Sequence, residues 1–473
     1  MEKTENIKLE EIRLKLKSAF VGNDKTQLVD FFEDYYDADI VEAIEDRDDL
    51  DYAFKLFEFF DSKHQAKLFE LLSSELKEII IEKFSLKNLE ELFEKIPSDE
   101  IVEILEDVDD VSAKKVLKSI SKESREDINE ILKHADDSVG SIMSVDFIAL
   151  NESWTVKRCI EEIENNLDSL KDVEEFYVVN DYKVLVGRLE AKTLLFNKSN
   201  KNLKDIMDDR VMRLKTTQDQ EEVVEMFRRY EFINMPVVDN DEILVGVVTV
   251  DDVLDVIEEE VTEDIYKLGG LTPSDDEYFK TGVFKLFKHR VLSIISVAIV
   301  SILTSLLLLW VIESTNSGTL HDNPAVFYGI TGSSIYLSVI PLIFMQSSII
   351  TNRGISLKEI EKRDTLHVIR KELVVSLMNC LMLMALAIVH SIIVEVIFKT
   401  NNIEEVVIDT IIITTGMFVA ILLVTMLATL IPLLALRSSG REQAIQMPIL
   451  IAVVEIITAG ILVGCITLVT QVI

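Results

Sequence analysis

Hydrophobic and polar positions alternate with three different periods along this chain, and each period predicts its own kind of element. Up to about residue 137 the apolar residues fall three and four apart. Ile101, Leu105 and Val108 share one helical face, as do Ile128, Ile131 and Leu132. Pro97-Ser98-Asp99-Glu100 predicts a helix start, with Ser98 as cap and acids in the first turn. Short helices joined by Asp/Ser turns suggest an all-α superhelix without a strict repeat period. Its polar faces are acidic, with Glu103, Glu106, Asp107, Asp109 and Asp110 inside eight residues.

From about 140 to 256 the pattern becomes strand–helix alternation. The apolar runs Glu175–Val179 and Val184–Leu189 flank an Asn180-Asp181 turn, and Met235–Asp239 and Leu244–Val250 flank an Asn240-Asp241 turn. Amphipathic helices are predicted before each hairpin (Val156–Leu167, Glu221–Tyr230) and after it (Ala191–Phe196, Asp251–Glu259). Two copies of a β-α-β-β-α unit therefore stand about sixty residues apart.

Beyond residue 290 five apolar runs each reach the ~20 residues that cross a bilayer. They are Val291–Ile312, Pro324–Ile350, Leu373–Val394, Ile411–Leu436 and Met447–Ile473. The connection 351–372 carries Arg353, Lys358, Lys362, Arg363, Arg370 and Lys371, whereas 314–325 has no Lys or Arg. The positive-inside rule makes 351–372 cytoplasmic. Arg437 and Arg441, and Lys280, Lys285, Lys288 and Arg290, agree, placing the N-terminal half in the cytoplasm and the chain in the plasma membrane. His390 and Glu395 could suggest a buried polar pair on the third span, but counting from the cytoplasm puts Glu395 near the outer headgroups.

Charge sharpens the division. Residues 1–290 hold 71 acidic and 39 basic side chains, and residues 291–473 hold 12 and 9. A soluble part this acidic repels nucleic acid and attracts cations. Cys159, Cys380 and Cys465 are far apart and form no CxxC, as suits a reducing cytosol and a membrane. No cleavable leader is read at the N-terminus, and no Walker loop or catalytic Ser/His/Asp pattern appears, so no enzyme is expected. Glu455 is the only charged side chain between Met447 and Ile473, near mid-membrane, and marks a candidate ion site.

The paired units resemble a tandem of cystathionine-β-synthase (CBS) domains, most closely in MPVVDNDEILVGVVTVDDVLDVIEEE. VTEDIYKLGG at 261–270 is similar to the start of the linking "plug" helix of the MgtE family of magnesium channels and transporters. DDSVGSIMS at 136–144 and QSSIITNRGISLKEI at 346–360 also resemble segments of that family. The resemblance implies a homodimer in the lipid bilayer that passes Mg²⁺ or another divalent cation and closes when Mg²⁺ fills its cytosolic domains. It implies a helical domain at 1–137, CBS domains at 138–200 and 201–256, a linking helix at 257–290 and a five-helix transmembrane domain at 291–473. The acids that match the family's metal positions are Asp99, Glu103, Asp219, Glu221, Glu231, Asp252, Asp255, Glu263 and Asp264, with Gly140 beside them and Glu455 in the membrane. Gly246, Thr249 and Asp252 have the order of a nucleotide site, which leaves room for ATP in the second CBS unit only. Two features depart from the family. Ile340–Met345 replaces a Gly-Gly-Asn-x-Gly run, and Glu455 stands where the family has Asp. The alternative function is a membrane Mg²⁺-sensing regulator that does not conduct.

Overall fold

The computed structural model describes residues 2–22, 31–32, 34–45, 49–165, 175–273, 278–314, 324–398, 403–437 and 447–472. Two compact units divide the chain, Met1–Ile257 and Glu258–Ile473.

The first unit opens with helices α1 (Glu2–Gly22), α2 (Asp37–Ile44), α3 (Leu50–Phe59), α4 (Ser62–Leu71), α5 (Ser74–Lys83), α6 (Leu86–Phe93), α7 (Ser98–Asp107), α8 (Asp110–Ser119) and α9 (Lys122–Leu132). Asp49, Ser85, Asp109 and Ser121 cap α3, α6, α8 and α9 by accepting a backbone N–H of the first turn. The helices bury one core in which Phe57, Phe69 and Phe93 touch edge to face or at a tilt. At α7 the capping differs from expectation. Pro97 holds the cap position and Ser98 lies inside the first turn, its N–H donated to Asp146 Oδ2 at 2.8 Å.

Two three-stranded sheets follow, built alike. In the first, β1 (Ala149–Asn151) runs parallel to β2 (Glu175–Val179), which pairs antiparallel with β3 (Leu185–Glu190). In the second, β4 (Leu214–Lys215), β5 (Asn234–Val238) and β6 (Leu244–Thr249) repeat that order. Helices α10 (Val156–Asn165), α11 (Ala191–Phe196) and α12 (Gln220–Tyr230) complete the units. The repeat extends to details. Both hairpins turn through a left-handed residue, Lys183 and Glu242, and both last strands hold a glycine, Gly187 and Gly246, under a methionine. A bulge interrupts each pairing at the same place, Val178/Val179 and Val237/Val238. The expected end of the first amphipathic helix, 166–167, lies outside the described residues.

The expected linking helix is not one helix. α13 (Val250–Leu268) runs unbroken from the last CBS strand and stops at Gly269-Gly270, where Gly270 takes φ +64°. The next helix, α14, begins only at Val283 and continues through the first span to Ser314. Turns occupy 278–281 between them.

In the second unit α14, α15 (Pro324–Ser356), α16 (Thr365–Phe398), α17 (Ile403–Arg437) and α18 (Met447–Val472) are each long and apolar enough to cross a membrane. Pro341 and Pro432 sit inside continuous helices. Most of these helices overrun their apolar stretches, so flanking charges remain helical. Arg441 and the connection 315–323 lie outside the described residues.

Candidate functional site

Carboxylates from two elements of the first unit converge. α7 presents Asp99, Glu100 and Glu103 along its first turns, and the start of α13 presents Asp252 and Asp255. Asp252 is fixed by a capping box: its Oδ2 accepts from Thr249 N at 2.8 Å and from Thr249 Oγ1 at 2.8 Å. Asp99 Oδ1 accepts from Ser144 Oγ at 3.0 Å.

The carboxyls resist ionisation. Burial pushes Asp99 up to about 6 against the Ser144 hydrogen bond, with Glu100 and Asp146 adding repulsion. Burial pushes Asp252 up to about 7, and Asp99 and Glu100 oppose the relief from Thr249. Glu103 reaches the surface, but the protein around it, followed by Glu100, raises it to about 7. Asp255 and Asp107 add to this and Lys77 works against it. Acids crowded at the cost of their own charge are the setting in which a bound cation stabilises most. Among the described residues no three His, Cys, Asp or Glu side chains are grouped closely enough to enclose a metal ion. Carboxylate oxygens are the donors that hard cations prefer.

The other expected positions lie elsewhere. Asp219 caps α12 by accepting Glu221 N–H at 2.9 Å, while Glu231 ends the same helix in a left-handed conformation, φ 55°. With ~1.5 Å rise per residue, the two ends are roughly 18 Å apart and cannot share one ion. Gly140 donates its N–H to Thr216 O at 3.0 Å, and a Cβ there would meet the His134 ring at 2.3 Å. Close packing thus accounts for this glycine. Gly246 is likewise closed in, with Met143 Sδ 2.7 Å from where a Cβ would stand. In the second unit, Glu263 is ion-paired to Lys267 one turn along and Asp264 is exposed. Glu455 is exposed on the outer surface of the protomer, beside Ile456 and Val453, while Val454, Thr458, Leu462 and Cys465 face inward.

Sequence reasoning missed a buried charge pair. Arg290 and Glu372, read as cytoplasmic flanks, are each 1% exposed and joined by a two-pronged salt bridge, 2.8 Å from Nη1 to Oε2 and 2.7 Å from Nη2 to Oε1. Arg290 Nη1 also donates to Ser347 Oγ at 3.0 Å, and Tyr278 OH to Glu372 Oε1 at 3.4 Å. The signal available was spacing: Glu372, Ser376 and Asn379 continue one buried face of α16 into the apolar run. His390 of α16 has a partner as well. It is buried and shares a 2.8 Å hydrogen bond with Ser305 Oγ of α14. Close by Arg290 in the fold, Gln346 Nε2 donates to Ser293 Oγ at 2.8 Å and Gly270 O at 3.2 Å. Ile340, Ile343 and Phe344, the residues that depart from the family run, are core residues of the bundle.

An all-α domain, a CBS pair and five membrane-length helices define a multi-pass membrane protein with a soluble, acid-lined N-terminal half. Profiles of known families agree along the chain: MgtE intracellular N domain at 35–137, CBS domain at 139–198 and 203–259, and divalent cation transporter at 342–465. These matches, together with curated relatives named magnesium transporter MgtE, support the MgtE family for this chain. Magnesium transporter MgtE of Thermus thermophilus is 28% identical over 263 residues, 55% of this chain and 56% of that protein. Its namesake in Bacillus subtilis is 25% identical over 322 residues, 67% of this chain and 66% of that protein. The chain thus aligns with between about half and two-thirds of the length of these relatives. The crystal structure of the soluble part of a magnesium transporter superposes with a TM-score of 0.50 at 25% identity, covering 53% of this chain and 99% of that one.

Proposed function

We propose that this protein passes Mg²⁺ across the membrane and closes when Mg²⁺ binds its cytosolic acids. The observation that carries the reading is the meeting of Asp99 and Glu103 on α7 with Asp252 and Asp255 on α13. Ion-free, these carboxylates repel one another across a contact between the helical domain and the second CBS unit. A dication held there, largely through its waters, cancels the repulsion and draws the two faces together. That ion favours the closed arrangement only, so it shifts the population toward it. Asp252 belongs to this cluster. An adenosine nucleotide at Gly246, Thr249 and Asp252 would compete with Thr249 and Asp99 for the same carboxylate.

The membrane half supports transport by a different argument. A carboxylate at bilayer depth on the outside of a protomer does not face lipid at equilibrium. A second copy covering that face of α18 would bring two Glu455 side chains to one axis and give a hydrated dication a strong local field. The protein is accordingly read as a homodimer with its path at Glu455.

Flux into proteoliposomes containing the full-length protein tests the reading. The parent protein is expected to admit Mg²⁺ and to shut as Mg²⁺ rises on the side of the cytosolic domains. Asp252→Asn is expected to keep flux high at the same concentration. Normal shut-off in Asp252→Asn and Glu103→Gln together would refute sensing at this cluster.

A further inference from the structure

One cation is already present among these acids. Lys77, on α5, is only 6% exposed, and no hydrogen bond or ion pair joins its ammonium to another described residue. A lysine this buried is ordinarily paired. The orientation of α5 explains where it points. Ser74 Oγ donates to Asp107 Oδ2 at 3.1 Å, so the start of α5 meets the end of α7. Lys77 lies one helical turn beyond Ser74 and Glu103 one turn before Asp107, and the lysine's charge acts on Glu103. There it opposes Glu100 and Asp107 on α7 and Asp255 on α13.

We propose that Lys77 is a tethered countercharge that sets the Mg²⁺ concentration at which the acid cluster fills. The proposal rests on the cluster being the Mg²⁺ sensor. A fixed positive charge close to a dication's site acts on it in two ways. It repels the incoming ion, and it lowers the repulsion among the acids that the ion would otherwise relieve. Both weaken binding, so the sensor responds at a higher Mg²⁺ level than its carboxylates alone would dictate. The long apolar stem fits the role, since it fills space in the helical domain while the charge stays at the edge of the cluster.

The test is a Mg²⁺ titration of the full-length protein in nanodiscs, read as the midpoint of protection of the cytosolic region from protease. Lys77→Met keeps the stem and removes the charge. It is expected to move the midpoint to lower Mg²⁺ by roughly tenfold, the order expected for one unit charge acting on a dication at a partly exposed site. Lys77→Arg keeps the charge and is expected to leave the midpoint in place. In a Glu103→Gln background the effect of Lys77→Met should shrink, because the two charges are coupled. Lys77→Gln serves as a second neutral variant should methionine disturb folding. If Asp252→Asn and Glu103→Gln raise the midpoint but neither neutral Lys77 variant lowers it, Lys77 is a packing element and the inference fails alone. If none of these variants moves the midpoint, the ion binds elsewhere and both readings fall.

Discussion

At the scale of single residues, the acid cluster ties stability to pH with a definite sign. Asp99, Glu103 and Asp252 are raised to about 6, 7 and 7, against about 4 in an unfolded chain. A carboxyl whose folded value is raised holds its proton in the native state, so its penalty is absent below about pH 4 and complete above about pH 7. In EDTA, the Tm of the cytosolic region should fall as pH rises from 5 to 8, and Asp252→Asn should flatten that slope. Saturating Mg²⁺ should flatten it too. A parent Tm that holds level or climbs over this range would contradict the crowding. Glu455 gives a second prediction. Glu455→Gln keeps the side chain's shape and is expected to abolish selectivity for divalent over monovalent cations, while Glu455→Asp should retain much of it. Proteoliposome flux under bi-ionic conditions would measure both. Equal Mg²⁺ selectivity in the Gln variant would move the path away from this residue.

Elements were legible where sequence period and local turn chemistry pointed the same way. The CBS hairpins announced themselves because alternating apolar residues meet at Asn-Asp turns, and β5 and β6 formed within a residue of expectation. The close packing over Gly246 is testable here. Gly246→Ala would press a Cβ against Met143 Sδ and Ser144 O, at 2.7 and 3.0 Å, and is expected to cost about 1–3 kcal/mol by chemical denaturation. The linking segment was misread because residues 257–268 carry the same amphipathic period as the helix before them. Only the positive φ of Gly270, which a sequence merely permits, ends that helix. Arg290 and Glu372 were missed for a related reason. A charge at the edge of an apolar run normally marks the water interface. Here the helices continue past that edge, so two such charges meet inside the bundle. Arg290→Met alone should destabilise the membrane domain by about 3–5 kcal/mol, and Arg290→Met with Glu372→Leu by much less, because the cost lies in the abandoned partner. Equal losses in the single and double variants would show that the pair contributes nothing as a pair.

At the scale of the whole molecule, the net charge of −35 is concentrated in the soluble half, and the response to salt follows from that. Limited proteolysis of the cytosolic region should slow in millimolar Mg²⁺ and not in Na⁺ of matched ionic strength. Equal protection by both would reduce the effect to screening. Domain order was readable from composition because soluble and membrane parts bury such different surfaces. The convergence of α7 with α13 was not, since about 150 residues separate them and no local pattern encodes the meeting. The membrane helices also differ in how readily each can enter lipid during synthesis. The second span has a mean hydropathy of 1.6 and is the most enclosed by its neighbours, while the last has 2.7, the highest of the five, although it carries Glu455. The translocon meets each helix before its partners exist. A charge at mid-span opposes partitioning by a few kcal/mol, and the surplus of Ile, Leu and Val around Glu455 offsets that opposition. The last helix can therefore enter the bilayer on its own greasiness, its one carboxyl carried in by the apolar residues on either side.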